Sequence, residues 1–549
     1  MPRKRNYLII AALSVAAMMP MYMFGVTGGN DQPQHYQFAW TVYRSVSDGE
    51  VYPGFAAETN RGFGDVGLRF YPPLTYYVLA AGYFVTADWY YASLAAFTLV
   101  FFAGALGVYL WARDEIGGEA ALVAAGLYTF APHHLNLIYT NALMAEFFAS
   151  AVLPFCFLFV TRVLRSGGWL NVVGLTLSYA LLVLTHLPTT IIGTIALALF
   201  TLALVRVKGS LSVLVRLFAA GSLSAAMTAF YWLRMITELD WVKHSSEKYF
   251  SNTWNYKANF LLLPGHFTSA DDQTLNLWLG DLMLIAMVLL IVPAAVYLFR
   301  DRTARTKVLT AAAAVAAFAV FMTTPLSGFI WDRITFLQKV QFPWRWLSVI
   351  TLAGSFVGAF GIYRAGKQMQ ANRGQALALA IGAILVFFVL TDVLILKGPS
   401  FNSRQMIDTE VAATPQSTGC ECWWPVWADG QAFGQTNRVA ADARIIDIQN
   451  WGLTKRAFSI GEGTAQPVTI ATFYYPHWHA TVNGVSVPVE RTDDGRISVP
   501  VPSGAAHVEL RFEEPPAVRV AYTVSIAAWA IVFCFAAVLI FNKRHHAPA

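Results

Sequence analysis

The chain has 549 residues, of which 56% are hydrophobic and 13% are charged, and its mean hydropathy is +0.49. Soluble proteins carry about 25% charged residues, so this composition excludes an ordinary soluble domain and indicates a polytopic membrane protein. The net charge of +6 comes from Lys and Arg in short loops between apolar runs, a positive-inside pattern that requires no nucleic-acid partner.

Apolar runs of about 20 residues, the length that crosses a bilayer core, recur along most of the chain. The first run, from Tyr7 to Phe24, follows a basic start and has no small-residue cleavage site after it. We therefore expect a retained helix rather than a signal peptide. The predicted spans are 7–26, 89–112, 119–131, 142–161, 169–185, 188–206, 211–233, 277–299, 308–324, 344–363, 375–396 and 518–541.

The stretch YPPLTYYVLAAGYFV, residues 71–85, is marginal in length and opens near two prolines. If 71–85 is not a span, the chain has about twelve transmembrane helices, and the basic loops and both termini lie in the cytoplasm. If 71–85 is a span, nearly all of those loops lie outside. We therefore predict that 71–85 is re-entrant or interfacial and that the loop 27–88 is external. The chain is then a multi-pass protein of the plasma (inner) membrane.

The polar stretch GGNDQPQHYQFAW follows the first span directly. Asn30 and Asp31 precede Pro33, a pattern typical of a helix N-cap with proline in the first turn. His35 is four residues after Asp31 and can lie near it on the same helix. Two interpretations stay open and are compatible: Asp31 caps the helix, or it is a general base at the mouth of a membrane cavity.

Further polar residues occur near the external ends of later spans. Glu146 is an intramembrane carboxylate, for which a functional role is the default hypothesis and a structural hydrogen bond the alternative. His133 and His134 occupy the preceding external turn and could approach Asp31, although adjacent side chains point in different directions. His186 lies at another external turn, where loop polarity explains it nearly as well.

Two arginines are candidates to hold a lipid phosphate, because the planar guanidinium fork suits that group. Arg345 opens a span in QFPWRWL and could instead snorkel to the headgroups. Arg69, before FYPP, is the second candidate. In ELDWVKHSSEKYF a solvated, mixed-charge helical face is expected, formed by Glu238, Asp240, Lys243 and His244.

Residues 397–517 are predicted to form an external β-sandwich domain between the helical region 1–396 and a final helix with its tail, 518–549. Short alternating strands flank Asn483-Gly484, a strong hairpin signal. Packing explains most of its aromatic residues, although Trp423, Trp424, Trp427, Trp478 and His479 could stack on sugar rings. Cys420 and Cys422 are assigned no role, because a bridge across one residue is expected to be strained.

Several stretches carry a resemblance to a known family: GGNDQPQHYQFAW, RFYPPLTYY, GEAALVAAGLYTFAPHHL, THLPTT, QKVQFPWRWLS and FYYPHWHATVNGVSVPV. In this order they resemble the GT-C superfamily of membrane glycosyltransferases, and more closely the bacterial membrane proteins described as YfhO-like or 6-pyruvoyl-tetrahydropterin-synthase-related. The resemblance implies inverting sugar transfer, on the external face, from a polyprenyl-phosphate-linked donor to a lipid or envelope glycan. By the same resemblance, Asp31 accepts the proton of the acceptor.

In that hypothesis His35, Arg69, His133, Glu146 and Arg345 shape the cavity or bind phosphate. The paired acidic Asp-x-Asp motif of many GT-C relatives is missing after Asp31, so no metal ligand is assigned and a divalent cation stays an open question. Two alternatives remain: a transporter or flippase of lipid-linked glycans, and a non-catalytic scaffold whose β-domain binds envelope partners. The sequence names neither the sugar, nor the acceptor, nor the oligomeric state.

Overall fold

The structure, a computed structural model, describes residues 2–29, 31–205, 210–267, 277–300, 306–369 and 375–545. These residues form a helical membrane protein with a β-sheet domain near the C-terminus, which confirms the predicted fold class. Its α-helices are α1 Pro2–Phe24, α2 Gln32–Ser47, α3 Gly67–Phe70, α4 Leu74–Thr86, α5 Trp89–Ile116, α6 Gly118–Thr129, α7 Pro132–Leu135, α8 Met144–Ser166, α9 Trp169–Val183, α10 Leu187–Leu204, α11 Ser210–Met227, α12 Ala229–Glu238, α13 Leu277–Arg300, α14 Lys307–Thr323, α15 Gly328–Arg333, α16 Thr335–Gln338, α17 Leu347–Met369, α18 Gln375–Ile395, α19 Arg404–Ala412 and α20 Pro516–His545.

Every predicted span contains a helix, but fewer helices are long enough to cross a membrane. In the described part of the chain, 8 helices meet the length and hydropathy that crossing requires, or up to 10 if two bent pairs each count as one span. The predicted span 119–131 forms α6, whose 12 residues reach only about 18 Å. A hydrocarbon core is about 30 Å thick, so α6 does not cross alone.

Residues 71–85 form α4, a helix of 13 residues that reaches about 20 Å and is also too short to cross alone. Its N-terminus is fixed by the amide of Leu74, which donates to the carbonyl of Leu184 over 2.8 Å. The helix packs between α2 and α5. An apolar segment after two prolines has therefore become a short helix that supports α2.

Two antiparallel sheets form most of the β-domain. One has the strand order β3-β6-β10-β9 and the other β4-β5-β11-β7-β8. The Asn483-Gly484 hairpin is confirmed, since Val482 pairs with Val485 and both turn residues have positive φ. The strands are β1 Val26–Thr27, β2 Phe401–Asn402, β3 Val439–Ala440, β4 Ile446–Trp451, β5 Lys455–Ile460, β6 Val468–Phe473, β7 Trp478–Val482, β8 Val485–Val487, β9 Glu490–Arg491, β10 Arg496–Val499 and β11 Ala506–Phe512.

A two-stranded sheet ties the segment after α1 to the segment after α18. Val26 pairs with Asn402 and Thr27 with Phe401, and the amide of Gly28 donates to the carbonyl of Ser400 over 2.8 Å. The ends of α1 and α18 therefore lie on the same face of the bundle as the β-sheets. We call this the β-domain face, and Asp31 follows directly on it.

Candidate functional site

Asp31 occupies the N-cap position of α2, but its side chain makes no capping hydrogen bond. The interpretation of Asp31 as a side-chain cap is therefore wrong, and Pro33 in the first turn, which lacks a donor, reduces the need for one. Asn30, the other residue of the predicted cap, lies outside the described residues. The carboxylate of Asp31 is left available for another role.

Close packing of the preceding glycines fixes the position of Asp31. A Cβ on Gly29 would approach Ala142 Cβ to 2.8 Å and the carbonyl carbon of Asn141 to 2.9 Å. Thr27 Oγ1 donates to the carbonyl of Ile138 over 2.7 Å. Only glycine allows the chain to come this close to the 138–142 segment, so the sequence GG before Asp31 sets where its backbone lies.

Glu146 and Arg345 form a buried ion pair between the starts of α8 and the 343–346 turn that precedes α17. Arg345 Nε donates to Glu146 Oε2 over 3.1 Å, and the two residues are 8% and 3% exposed, respectively. Arg345 Nη1 donates to the carbonyl of Val340 over 2.6 Å, and the guanidinium carbon lies 4.7 Å from the Phe342 ring centroid. Two residues predicted separately from the sequence are thus brought together.

Asp31 lies within electrostatic reach of this pair. The residue is exposed, yet burial raises the pKa of its carboxyl group above the usual value, and the positive charge of Arg345 opposes that rise. The Asp31 side chain therefore contacts water while nearby protein partly desolvates it. We define the Asp31 crevice by the residues whose charges or rings interact there: Asp31, Tyr71, Tyr76, Glu146 and Arg345.

His35 contributes to the crevice through Tyr76 rather than through Asp31. Its Nδ1 is hydrogen-bonded to the Tyr76 hydroxyl over 2.8 Å, and burial lowers the pKa of His35 to about 3. His186 is also buried, and burial together with the charge of Arg345 lowers its pKa well below the usual value. Both imidazoles are therefore neutral at physiological pH, so they orient neighbours rather than attract a phosphate.

The two tyrosines of the crevice were not predicted as site residues. Burial, and after it the negative charge of Asp31, raises the pKa of Tyr71 above its usual value. Tyr71 and Tyr76 stand in the stretch RFYPPLTYY, but only folding brings Tyr71, which precedes α4, and Tyr76, in the first turn of α4, close enough to interact with the charge of Asp31. Their hydroxyl groups stay protonated and offer hydrogen-bond donors.

Arg69 does not offer its guanidinium to a ligand, in contrast to the prediction. It is fully buried and donates to Glu238 and Glu514, each over 2.7 Å, and to the carbonyl of Gly54 over 3.0 Å. The carboxylates of two distant segments neutralise it, so Arg69 is a structural residue. Glu238 is only 2% exposed and does not belong to the solvated face predicted for 238–244.

A candidate metal cluster of Glu238, His477 and Glu514 surrounds this arginine, with ligand atoms within 4.8 Å of one another. Arg69 bonds both carboxylates, and Arg234 Nη2 donates to Glu514 over 2.6 Å. A divalent cation there would face two guanidinium groups that already neutralise the two acids. We therefore assign no metal to the cluster.

His133 is buried, and neither of its ring nitrogens has a hydrogen-bond partner. The neighbouring His134 is hydrogen-bonded through Nδ1 to the carbonyl of Tyr128 over 2.7 Å. Among the described residues, no contact or charge interaction joins His133 to Asp31. The structure therefore does not bring His133 into the Asp31 crevice.

The β-domain side supplies an aromatic wall beside the crevice. His244 stacks on Trp423 with ring centroids 4.8 Å apart, and Trp423 also contacts Tyr71 at 5.5 Å. Cys420 and Cys422, to which the sequence assigned no role, form a disulfide. The amide of Cys420 donates to Gln34 Oε1 over 3.1 Å, which places this loop against the start of α2.

Comparison with family models identifies a membrane protein. The family model described as 6-pyruvoyl-tetrahydropterin synthase related domain, membrane protein, matches residues 68–397. An uncharacterized protein of Lactococcus lactis subsp. cremoris is 24% identical over 273 residues, which cover 46% of this chain and 43% of that protein. The chain thus spans less than half the length of this curated relative.

Two solved structures similar to this chain are those of larger glycosyltransferases. The oligosaccharyltransferase of Archaeoglobus fulgidus, crystallised with Zn and sulfate, has a TM-score of 0.45 and 17% identity, with coverage of 71% of this chain and 53% of that one. The arabinofuranosyltransferase AftD from Mycobacteria has a TM-score of 0.43 and 11% identity, with coverage of 71% and 26%.

Proposed function

The chain belongs to the family of 6-pyruvoyl-tetrahydropterin synthase related membrane proteins, and we propose that it is a membrane glycosyltransferase. In this proposal it transfers a sugar from a polyprenyl-phosphate-linked donor to a lipid or envelope glycan, with inversion at the anomeric carbon. The β-domain face is then the extracytoplasmic face, and both termini are cytoplasmic. The lipid-phosphate donor and the acceptor class are what the resemblance of the motifs along the chain implies.

One observation carries the proposal. The Asp31 carboxylate makes no capping hydrogen bond, is exposed in the Asp31 crevice, and interacts electrostatically with the buried guanidinium of Arg345. In the proposed step, the acceptor hydroxyl oxygen bonds to the anomeric carbon while the bond from that carbon to the phosphate oxygen breaks. Asp31 takes the hydroxyl proton, and the phosphate leaves with the electron pair. A base on one side and a cation on the other are what this displacement needs.

Arg345 is suited to the departing phosphate because its neighbours leave one donor nitrogen unused. Arg345 Nε donates to Glu146, and Arg345 Nη1 donates to the carbonyl of Val340. In the described part of the chain, no hydrogen bond is made by Nη2, which is therefore available to a phosphate oxygen. Glu146 acts as a positioning residue that holds the guanidinium plane.

The test uses the purified full-length chain in lipid nanodiscs with a panel of polyprenyl-phosphate sugars and candidate acceptors. Asp31→Asn keeps the size of the side chain but removes the base, and we expect transfer to fall by roughly 10²–10⁴-fold. The matched control is Asp48→Asn, because Asp48 is exposed at the other end of the same helix. Equal transfer by Asp31→Asn and the parent protein would overturn the assignment of the base.

A further inference from the structure

A cavity of about 420 Å³ lies between α6, α7 and α18, and none of its lining residues belongs to the Asp31 crevice. Its wall is apolar except for one carboxylate, Asp392. We call it the Asp392 cavity. Its lining residues are Gly126, Leu127, Phe130, Leu135, Phe388, Val389, Asp392, Val393 and Leu396.

Asp392 is buried in this cavity without a partner. It is 9% exposed, and its Oδ1 atom has no hydrogen-bond partner. Among the described residues, no basic side chain forms an ion pair with it. An intramembrane carboxylate is costly and marks a functional site by default, so an unpaired one calls for a ligand that pairs with it.

The place of Asp392 in the helix strengthens this requirement. It stands in the last turn of α18, which ends at Ile395. The carbonyl groups at a helix C-terminus carry partial negative charge, which disfavours an anion and favours a cation nearby. Most side chains of α18 are at least partly exposed at the surface of the bundle. In a membrane, that surface faces lipid.

The cavity also lies near one surface of the bundle rather than at its centre. α18 ends shortly before Phe401–Asn402, the strand on the β-domain face. The apolar wall of the cavity matches the acyl chains of a membrane lipid. The carboxylate, one turn before the end of α18, lies where the headgroup of that lipid would be. The matching headgroup is a cation that donates hydrogen bonds.

We propose that the Asp392 cavity binds a membrane lipid with a primary ammonium headgroup, whose nitrogen donates to the Asp392 carboxylate while its apolar part fills the pocket. This site is separate from the proposed transferase chemistry and does not depend on it. A lipid-phosphate sugar donor is a poorer occupant, because its phosphate brings no cation to neutralise the Asp392 carboxylate. An ammonium lipid supplies three donors and neutralises the carboxylate.

Native mass spectrometry of the full-length chain tests the site with three lipids of identical acyl chains: phosphatidylethanolamine, phosphatidylglycerol and diacylglycerol. We expect phosphatidylethanolamine to bind in preference to the other two. Asp392→Asn is expected to weaken its binding by about tenfold, the scale of a 1–2 kcal/mol polar contact in a membrane. The control Asp408→Asn, at an exposed residue of α19, should leave binding unchanged.

A second variant tests the contribution of the cavity's volume while it keeps the Asp392 carboxylate. Val389 lines the cavity and is exposed at the lipid-facing surface, so Val389→Trp can fill the pocket without entering the packed core. It should also abolish the preference. Equal binding of the three lipids, unchanged binding by Asp392→Asn, or preferred binding of diacylglycerol would each overturn the proposal, the last by showing a hydroxyl ligand instead.

Discussion

Asp31 combines an enclosed position with access to water, and this sets the pH dependence of the proposed reaction. Burial raises the pKa of its carboxyl group, so the group takes up a proton at a higher pH than an ordinary aspartate, whose pKa is about 3.9. A protonated base is inactive, so kcat/KM should fall as the pH falls through the raised pKa. The measurement is a pH profile of transfer in nanodiscs.

The same profile for Asp48→Asn serves as the control, because that substitution should leave the acidic limb where it is in the parent protein. An acidic limb at the ordinary aspartate value would mean that Asp31 is well solvated. In that case the base would be another group or the crevice would be wider than the structure indicates.

Substitution of Arg345 tests the proposed contact with the donor phosphate. Arg345→Lys keeps the positive charge but loses the planar fork that bonds Glu146 and leaves a nitrogen for the ligand. We expect KM for the donor to rise by about 10–100-fold, the range of a lost hydrogen bond between charged groups, with a smaller change in kcat. A fall in kcat alone would place Arg345 at the transition state only.

Single residues were predictable where the sequence itself shows that a charged side chain must be buried at a cost in free energy. A carboxylate within an apolar run, such as Glu146, and an arginine at the start of a span, such as Arg345, attract notice because burying charge is expensive. Their pairing was not predictable, because 199 positions separate them. Arg69 was misassigned for the same reason: its partners Glu238 and Glu514 come from distant segments.

At the scale of elements, the approach of Gly29 to the 138–142 segment positions the start of α2. Gly29→Ala would place a Cβ 2.8 Å from Ala142 Cβ and 2.9 Å from a backbone carbon, so one of the two segments must move. A shift of about 1 Å at a catalytic group costs about 10²-fold in rate. We expect that loss of transfer with a nearly unchanged melting temperature.

Gly398→Ala is the matched control, since a Cβ at Gly398 would meet nothing within 4 Å. It should leave both transfer and melting temperature at the parent values. A fully active Gly29→Ala protein would show that the segment can relax and that the close approach does not position Asp31.

Elements with strong local signals were predicted correctly, and those that depend on packing were not. The Asn483-Gly484 hairpin follows from the positive φ that its turn requires. The stretch 119–131 is as apolar as a span, yet it forms a helix of 12 residues that ends before Phe130. Its length is set by where α7 begins, which no local periodicity encodes.

At the scale of the whole molecule, buried ion pairs join the β-domain to the helical bundle. Arg69 lies in the 27–88 loop, Glu238 ends α12, and Glu514 follows the last strand. His477 Nε2 lies 3.1 Å from Glu238 Oε1, so the β-domain contacts the same carboxylate. Domain boundaries drawn from composition did not reveal this junction, because its charges balance only after folding.

The junction explains what substitution of Arg69 should do. Arg69→Met leaves Glu514 paired with Arg234 but leaves the buried Glu238 without a guanidinium partner, and an uncompensated buried charge costs about 3–5 kcal/mol. The free energy of unfolding should fall by that amount, measured by thermal denaturation in nanodiscs. Arg44→Met is the control, because the Arg44–Glu58 pair is 38% and 37% exposed and such pairs contribute about 0–1 kcal/mol.

A second substitution distinguishes a structural role for Arg69 from a ligand-binding one. Adding Glu238→Gln to Arg69→Met removes the carboxylate that lost its guanidinium partner, so the double variant should be more stable than Arg69→Met alone. A ligand-binding arginine would behave in the opposite way, since its loss would raise KM for the donor without lowering the melting temperature. The order of stability among parent, single and double variants therefore decides whether Arg69 holds the two domains together or holds the substrate.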